Sequence, residues 1–554
     1  MSTSSGNKMG VVQLTILTAV NMMGSGIIML PTKLAEVGTI SIVSWLVTAL
    51  GSMALAYAFA KCGMYSRKSG GMGGYAEYAF GKSGNFMANY TYGVSLLIAN
   101  VAIAISAVGY GTELIGATLS PLGICLATIG VLWLCTAANF GGARITGRIS
   151  SVTVWGVIIP VVGISLIGWF WFSPSLYIGS WNPHHYPTFE AIGSSIAMTL
   201  WAFLGLESAC ANTDVVENPE RNVPIAVLGG TLGAAVIYIV STNVIAGIVP
   251  NMDLANSTAP FGMAFAQMFN PTVGKIIMAL MVMSCCGSLL GWQFTIAQVF
   301  KSSADEGYFP GIFRKITQSG APVKGMLTIV TIQTILSLMT ISPSLNAQFN
   351  VLVNLAVVTN LIPYILSMAA LMLIQRIAGI DPAKARLPNI LALVGALYSF
   401  YALYASGEQA MMWGAIATFL GWTLYGFVSP RFEMRDKQAY GARRATEHDG
   451  CADAERQLRA ALFYVYDHES RELSKRLTRT FHDHHDLSLA SLHVHLDHGS
   501  CLEVSLLKGA GTEVTRFAEQ VIAERGVRHG KLVVVPGDEG EGHDHAHPHH
   551  HAHE

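Results

Sequence analysis

The chain reads as a long succession of apolar runs followed by a shorter stretch of mixed patterns. Twelve apolar runs lie at about residues 11–34, 40–62, 85–110, 120–140, 151–172, 192–212, 226–249, 275–299, 325–342, 350–375, 388–405 and 411–428. Each is about long enough to cross a bilayer as a helix. After Tyr425 the apolar pattern stops, and residues 429–444 read as an exit and linker. A soluble pattern begins near Cys451. Residues 461–468 form a short apolar strand, and 469–482 carry Leu473, Leu477 and Phe481 at helical spacing. Residues 489–497 alternate and turn through His498-Gly499-Ser500 into a strand at 501–507. A helix at 512–525 and a strand at 531–535 complete the order β-α-β-β-α-β, that of a ferredoxin-like domain. The predicted division is a membrane domain at 1–437, a linker at 438–455, an α+β domain at 456–536 and a His-rich, disordered tail at 537–554.

Composition sharpens this picture. Of 554 residues 52% are apolar and 12% charged, with a mean hydropathy of +0.45. A soluble chain is about 25% charged, so an integral membrane protein is implied. The net charge of -1 cancels two unlike halves and identifies no partner. Six of the 8 cysteines lie in or beside apolar runs, which suggests no disulfide framework. The polar N-terminal stretch leads directly into a full-length span, so no cleavable signal peptide is read.

Basic residues fall in the connections after even-numbered runs: Arg67, Lys68 and Lys82, then Arg144 and Arg148, Arg221, then Arg314, Lys315 and Lys324, then Arg376, Lys384 and Arg386. The opposite connections at 171–190 and 341–350 have no Lys or Arg, and Lys33 and Lys275 are the exceptions. By the positive-inside rule the basic side is cytoplasmic and both termini lie there.

Two runs are interrupted. The first holds Asn21-Met22-Met23-Gly24-Ser25-Gly26-Ile27 at its centre. Lipid cannot satisfy the backbone groups that glycines free, so such a break is tolerated where it lines a cavity or packs on protein. A half-helix N-terminus there points N–H groups at an anion. The sixth run holds Trp201-Ala202-Phe203-Leu204-Gly205-Leu206-Glu207. Paired breaks, each opening a block of five spans, signal an inverted-repeat transporter with its site at mid-membrane. A carboxylate at that depth, Glu207, is costly and points to function. Tyr92, Trp201 and Trp292 are suited to wrap an alkyl-ammonium chain, since a cation over an indole gains about 0.5–2 kcal/mol. Glu77 and Glu433 are candidates for recruiting cations at the inner mouth, with a solvated salt bridge as the competing reading of each.

These residues carry a resemblance. Residues 1 to about 437 resemble the amino acid–polyamine–organocation superfamily, within it the bacterial putrescine–ornithine antiporters, through 21–28, 201–217 and the signature Glu217-Asn218-Pro219-Glu220-Arg221-Asn222-Val223-Pro224. The resemblance implies an all-α fold of twelve helices, ten forming a five-plus-five inverted repeat with helices 1 and 6 broken. It also implies that the amides at Ser25 and Gly26 take the substrate carboxylate, with Ile27 beside them as a further candidate substrate-binding residue, that Trp201 and Trp292 gate, and that Glu207 is the buried acid.

In the soluble part, His493 and His495 are two apart on a strand and face one side. Cys501 lies across the hairpin turn and can join them, with His482 as a fourth ligand from another subunit. Square-planar geometry with this set favours Ni(II) or Cu(II), and tetrahedral geometry favours Zn(II). Residues 456–536 resemble the ACT-like C-terminal domain of nickel-responsive repressors, through 481–488, Leu492-His493-Val494-His495, Cys501-Leu502-Glu503 and 525–530. That implies nickel held by His493, His495 and Cys501 with His482 of a facing copy, hence a homo-oligomer. Residues 438–455 are too few for the repressors' DNA-reading ribbon-helix-helix, so no nucleic-acid partner is expected. With no nucleophile–base set or phosphate loop, an enzyme is not expected either. The leading expectation is exchange of putrescine for ornithine across a lipid inner membrane. Alternatives are another basic amino acid and diamine pair, or a nickel-controlled sensor or scaffold in which transport is secondary.

Overall fold

Gly205 has φ +106°, a conformation that L side chains rarely adopt, and it sits where the sixth span stops being an α-helix. The structure, a computed structural model, describes residues 10–23, 25–68, 71–207, 218–449, 457–467, 471–495, 500–524 and 527–535. Gly24, the segment 208–217 and the His-rich tail lie outside the described residues.

The first span is two half-helices, α1 (Val11–Met22) and α2 (Leu30–Val37), joined through a 3-10 turn at Ser25–Ile27. The Ile28 carbonyl freed by this break accepts the Tyr110 hydroxyl at 2.9 Å. Then follow α3 (Ser41–Tyr65), α4 (Met72–Ile115), α5 (Pro121–Ala138), α6 (Ala143–Thr153), α7 (Trp155–Ile167), α8 (Pro174–Gly179) and α9 (Thr188–Trp201). The second half holds α10 (Pro219–Ala246), α11 (Asn251–Asn256), α12 (Pro260–Met268), α13 (Pro271–Asp305), α14 (Val323–Met339), α15 (Leu345–Ile377), α16 (Pro382–Ala405) and α17 (Glu408–Asp449). Among the described residues nine helices are long and apolar enough to cross a membrane. With the shorter α14 and the two interrupted spans they make the twelve expected crossings.

Packing repeats between the halves. The α3 helix lies on α10, α4 on α13 and α5 on α14, while α1 meets α10 as α9 meets α3. Polar side chains join helices where lipid offers no hydrophobic drive. Ser44 and Thr48 of α3 pair with Ser195 and Thr199 of α9, each at 2.7 Å. Gln293 of α13 accepts from Asn100 of α4 at 2.9 Å and donates to Gln333 of α14 at 2.6 Å and to Thr136 of α5 at 3.2 Å. This network fixes the rotation of α13 about its axis one residue from Trp292.

One boundary differs from the sequence reading: α17 runs to Asp449 through the stretch read as a linker. Residues 429–444 are rich in Arg, Glu, Met, Gln and Ala, which are good helix formers, so a helix persists where hydrophobicity ends. Within α4 the non-helical backbone at Gly81, φ +62°, separates a short preceding helix from the third span, which starts close to the position read from sequence.

The C-terminal unit comprises β1 (Gln457–Asp467), α18 (Arg471–Asp483), β2 (Ser488–His495), β3 (Ser500–Ala510), α19 (Gly511–Ile522) and β4 (Val527–Val535). The strands form an antiparallel sheet ordered β2-β3-β1-β4, the ferredoxin-like arrangement. Ala460, Leu462, Tyr464 and Tyr466 alternate inward from β1 and meet Leu473 and Leu477 of α18 and Val514, Phe517 and Val521 of α19.

Candidate functional site

The two breaks meet. A side chain at Gly26 would bring a Cβ to 3.1 Å from the Ala202 Cα, so glycine permits this approach. Past Trp201 the helix unwinds through i→i−3 bonds, Phe203 to Leu200 at 2.9 Å and Leu204 to Trp201 at 3.3 Å. This turn carries Glu207 back toward the cavity. Glu207 is only 8% exposed. Its carboxylate accepts the Tyr92 hydroxyl at 3.0 Å, the Gly205 N–H at 3.1 Å and, by a short bond, the Tyr364 hydroxyl. Three donors from α4, α15 and its own turn hold the buried carboxyl group in one orientation.

A small cavity opens beside this carboxylate, lined by Met22, Gly26, Tyr92, Ser95, Leu96, Ala99, Ile103, Trp201, Leu204, Gly205, Glu207, Trp292 and Asn360. Five of the residues singled out from sequence therefore converge: Gly26, Tyr92, Trp201, Glu207 and Trp292. Ser25 and Ile27 belong to the same 3-10 turn, and Ile27 is fully buried outside the cavity lining. Glu77 is not among the lining residues. It accepts from Lys68 at 2.8 Å and from Asn85 at 2.7 Å, and Asn85 also reaches Glu306 at 3.4 Å. Glu433 lies in α17, and its side chain is outside the described residues.

Sequence reasoning missed Tyr364 and Asn360. Both are polar residues four apart in α15, on one helix face, flanking Pro363, which removes an intrahelical N–H. A polar i,i+4 pair beside a proline inside an apolar run was the available signal.

In the soluble unit, His495 stands opposite Cys501 in the β2–β3 ladder and His493 opposite Glu503. The Cys501 sulfur lies 3.2 Å from His495 Nδ1. One ligand atom each from His493, His495 and Cys501 falls within 4.8 Å of the others. Two imidazoles and one thiol at this separation fit a single divalent transition-metal ion. Glu503 approaches His493 Nδ1 at 3.8 Å, and the Tyr466 ring lies 6.2 Å from that of His493. Burial, followed by the Glu503 and Cys501 charges, pushes the Tyr466 phenol up from its ordinary range. His482 is exposed at the end of α18 and does not join the three within one chain.

Comparison with known proteins agrees with both halves. Residues 9–428 match the profile described as amino acid permease, and residues 459–535 match that of the NikR C-terminal nickel-binding domain. The chain is 83% identical over 437 residues to the putrescine transporter PotE of Escherichia coli strain K12, covering 79% of this chain and 100% of that protein. It is 77% identical over 429 residues to PotE of Haemophilus influenzae, covering 77% of this chain and 99% of the relative. Identity to the cadaverine/lysine antiporter of Escherichia coli strain K12 is 32% over 413 residues, or 73% of this chain and 91% of the relative.

Proposed function

The chain belongs to the amino acid permease family, and on that premise we propose that it exchanges putrescine for ornithine across the bacterial inner membrane, with proton-coupled putrescine uptake as a second mode. Membership makes it a multi-pass membrane transporter rather than an enzyme. The observation that carries the finer reading is Glu207, a buried carboxylate fixed by Tyr92, Tyr364 and Gly205 beside the indoles of Trp201 and Trp292. An ammonium group entering this cavity meets a formal negative charge and aromatic walls. The break at Ser25–Ile27 offers backbone N–H groups to the carboxylate that ornithine has and putrescine lacks. With no substrate bound, a proton on Glu207 neutralises the same site, which supports proton coupling. The loop charges support a cytoplasmic placement of both termini. The testing experiment is reconstitution into vesicles loaded with labelled putrescine. External ornithine should accelerate efflux, and efflux indifferent to ornithine refutes the exchange.

The cluster of His493, His495 and Cys501 supports a second component, a nickel-binding domain through which copies assemble. Its three donors suit Ni(II), and the exposed His482 is free to serve a facing copy as fourth ligand. Nickel bound there would supply a cross-link between copies. A purified full-length protein should bind about one nickel ion per chain in assemblies of two or more copies, and binding by a strictly monomeric protein overturns the shared site.

A further inference from the structure

Two hydrogen-bond donors at the central cavity have no acceptor among the described residues: the Asn360 amide nitrogen and the Trp201 indole nitrogen. Both side chains are buried, Asn360 at 2% exposure and Trp201 at 6%, and both line the cavity. Two other polar side chains there are engaged. Tyr92 donates to Glu207, and Ser95 donates to the Ala356 carbonyl at 2.8 Å. The Asn360 amide lies near the Tyr364 oxygen without hydrogen-bond geometry, and Tyr364 spends its own proton on Glu207. Gly26 brings the first break against the Trp201 carbonyl, which lies 3.5 Å from where its Cβ would be. The indole therefore belongs to the same wall as the backbone turn that the proposed function assigns to a carboxylate.

Buried donors without acceptors are costly, and the cost is removed when a ligand supplies the acceptor. The two substrates differ in this respect. A diamine carries ammonium groups at both ends, which only donate. An α-amino acid adds a carboxylate with two acceptor oxygens. We propose that Asn360, together with Trp201, determines specificity for the amino-acid partner of the exchange by donating hydrogen bonds to its carboxylate, while Glu207 serves the ammonium group common to both substrates. This inference rests on the reading of the cavity as a shared diamine and amino-acid site. It adds to the backbone turn a side chain that distinguishes the two cargoes.

The test uses the full-length protein in vesicles and measures homoexchange of labelled ornithine and of labelled putrescine separately. Asn360→Leu keeps the volume and removes the donor, so KM for ornithine should rise about tenfold or more while KM for putrescine stays within about twofold. Asn360→Asp is isosteric and adds a second carboxylate, so it should raise KM for ornithine and lower it for the dicationic putrescine. Asn360→Gln should restore part of the ornithine affinity. Equal shifts for both substrates in the Leu variant, or an Asp variant that treats them alike, overturn the inference. If the Leu variant fails to assemble, the opposite-sign response of the Asp variant still decides. Wild-type protein that exchanges putrescine but no amino acid overturns the exchange reading, and the inference with it. Wild-type exchange of both, with substrate-blind variants, overturns the inference alone.

Discussion

The Tyr92 hydroxyl reaches the Glu207 carboxylate at 3.0 Å across 115 residues of sequence. That bond ties α4 to the broken end of the sixth span, and the matching bond from Tyr364 ties in α15. This buried acid is thus held by helices from both halves of the repeat, and a change in its charge state acts on both.

Replacing Glu207 with Gln should stop transport without unfolding the protein. The amide removes the charge that faces an ammonium group and turns a donor toward one of the Tyr hydroxyls. Losing one partner of a buried charge pair costs about 2–5 kcal/mol, or roughly 30-fold to several thousand-fold in exchange rate. Vesicle exchange with a membrane-fraction control measures this, and wild-type rates would exclude the assignment.

Trp292→Leu should raise KM for putrescine by roughly threefold to thirtyfold, the equivalent of a lost cation–π contact. Expression should be unchanged, because the indole is only partly buried and faces the cavity. Unaltered KM would make the residue part of the packing alone.

At Gly205 the backbone sits at φ +106°, and alanine there should cost about 1–3 kcal/mol in strain. The expected outcome for Gly205→Ala is a Tm lower by several degrees in detergent, together with impaired exchange, because the same turn donates to Glu207. A variant as stable and active as wild type would contradict the strained turn.

Glu306, just past the end of α13, is pushed above the usual carboxylate range by burial and then by the Glu77 charge, against a smaller opposing bond from Asn85. A raised folded-state value means the folded protein binds the proton more tightly. This group's stabilising contribution is therefore fully present below the ordinary carboxylate value and is lost as pH rises through the raised one. Glu306→Gln should stabilise the protein at neutral pH relative to wild type and remove that loss. Thermal scans across pH 4–8 check the sign, and a parallel loss in the variant refutes it.

For the metal site, Cys501→Ala should abolish the thiolate-to-nickel charge-transfer absorption and most of the affinity, since the thiolate is the softest donor present. His482→Ala should weaken binding and also reduce the size of nickel-loaded assemblies. Stripping nickel with a chelator should shift wild type toward smaller species. Assemblies indifferent to chelation would separate metal binding from assembly.

Much of this protein is decided by short-range physics and is therefore legible in sequence. An apolar run long enough to cross lipid has no alternative but a helix, so the twelve spans could be counted from hydrophobicity. The breaks at Ser25–Ile27 and Gly205 are legible because glycine at mid-membrane is a local anomaly. The candidate metal cluster is legible because strand alternation puts His493 and His495 on one face, and the pairing of β2 with β3 puts His495 opposite Cys501. What the tertiary structure decided is which polar groups meet. Tyr364 and Asn360 look in sequence like any polar pair within a helix, since the same residues serve as interhelical glue elsewhere, as Ser44 and Thr48 do. Only packing α15 against α4 and the sixth span turns one into a ligand of Glu207 and leaves the other facing the cavity. Glu77 shows the converse. Its charge suggested recruitment of cations, and the fold gives it Lys68 and Asn85 as partners, because residues 9 and 8 positions away were brought within 2.8 Å and 2.7 Å. Hydrophobicity chooses the elements over a few residues, whereas the partners of the buried Glu207 are chosen by helices more than a hundred residues away, and no local pattern encodes that choice.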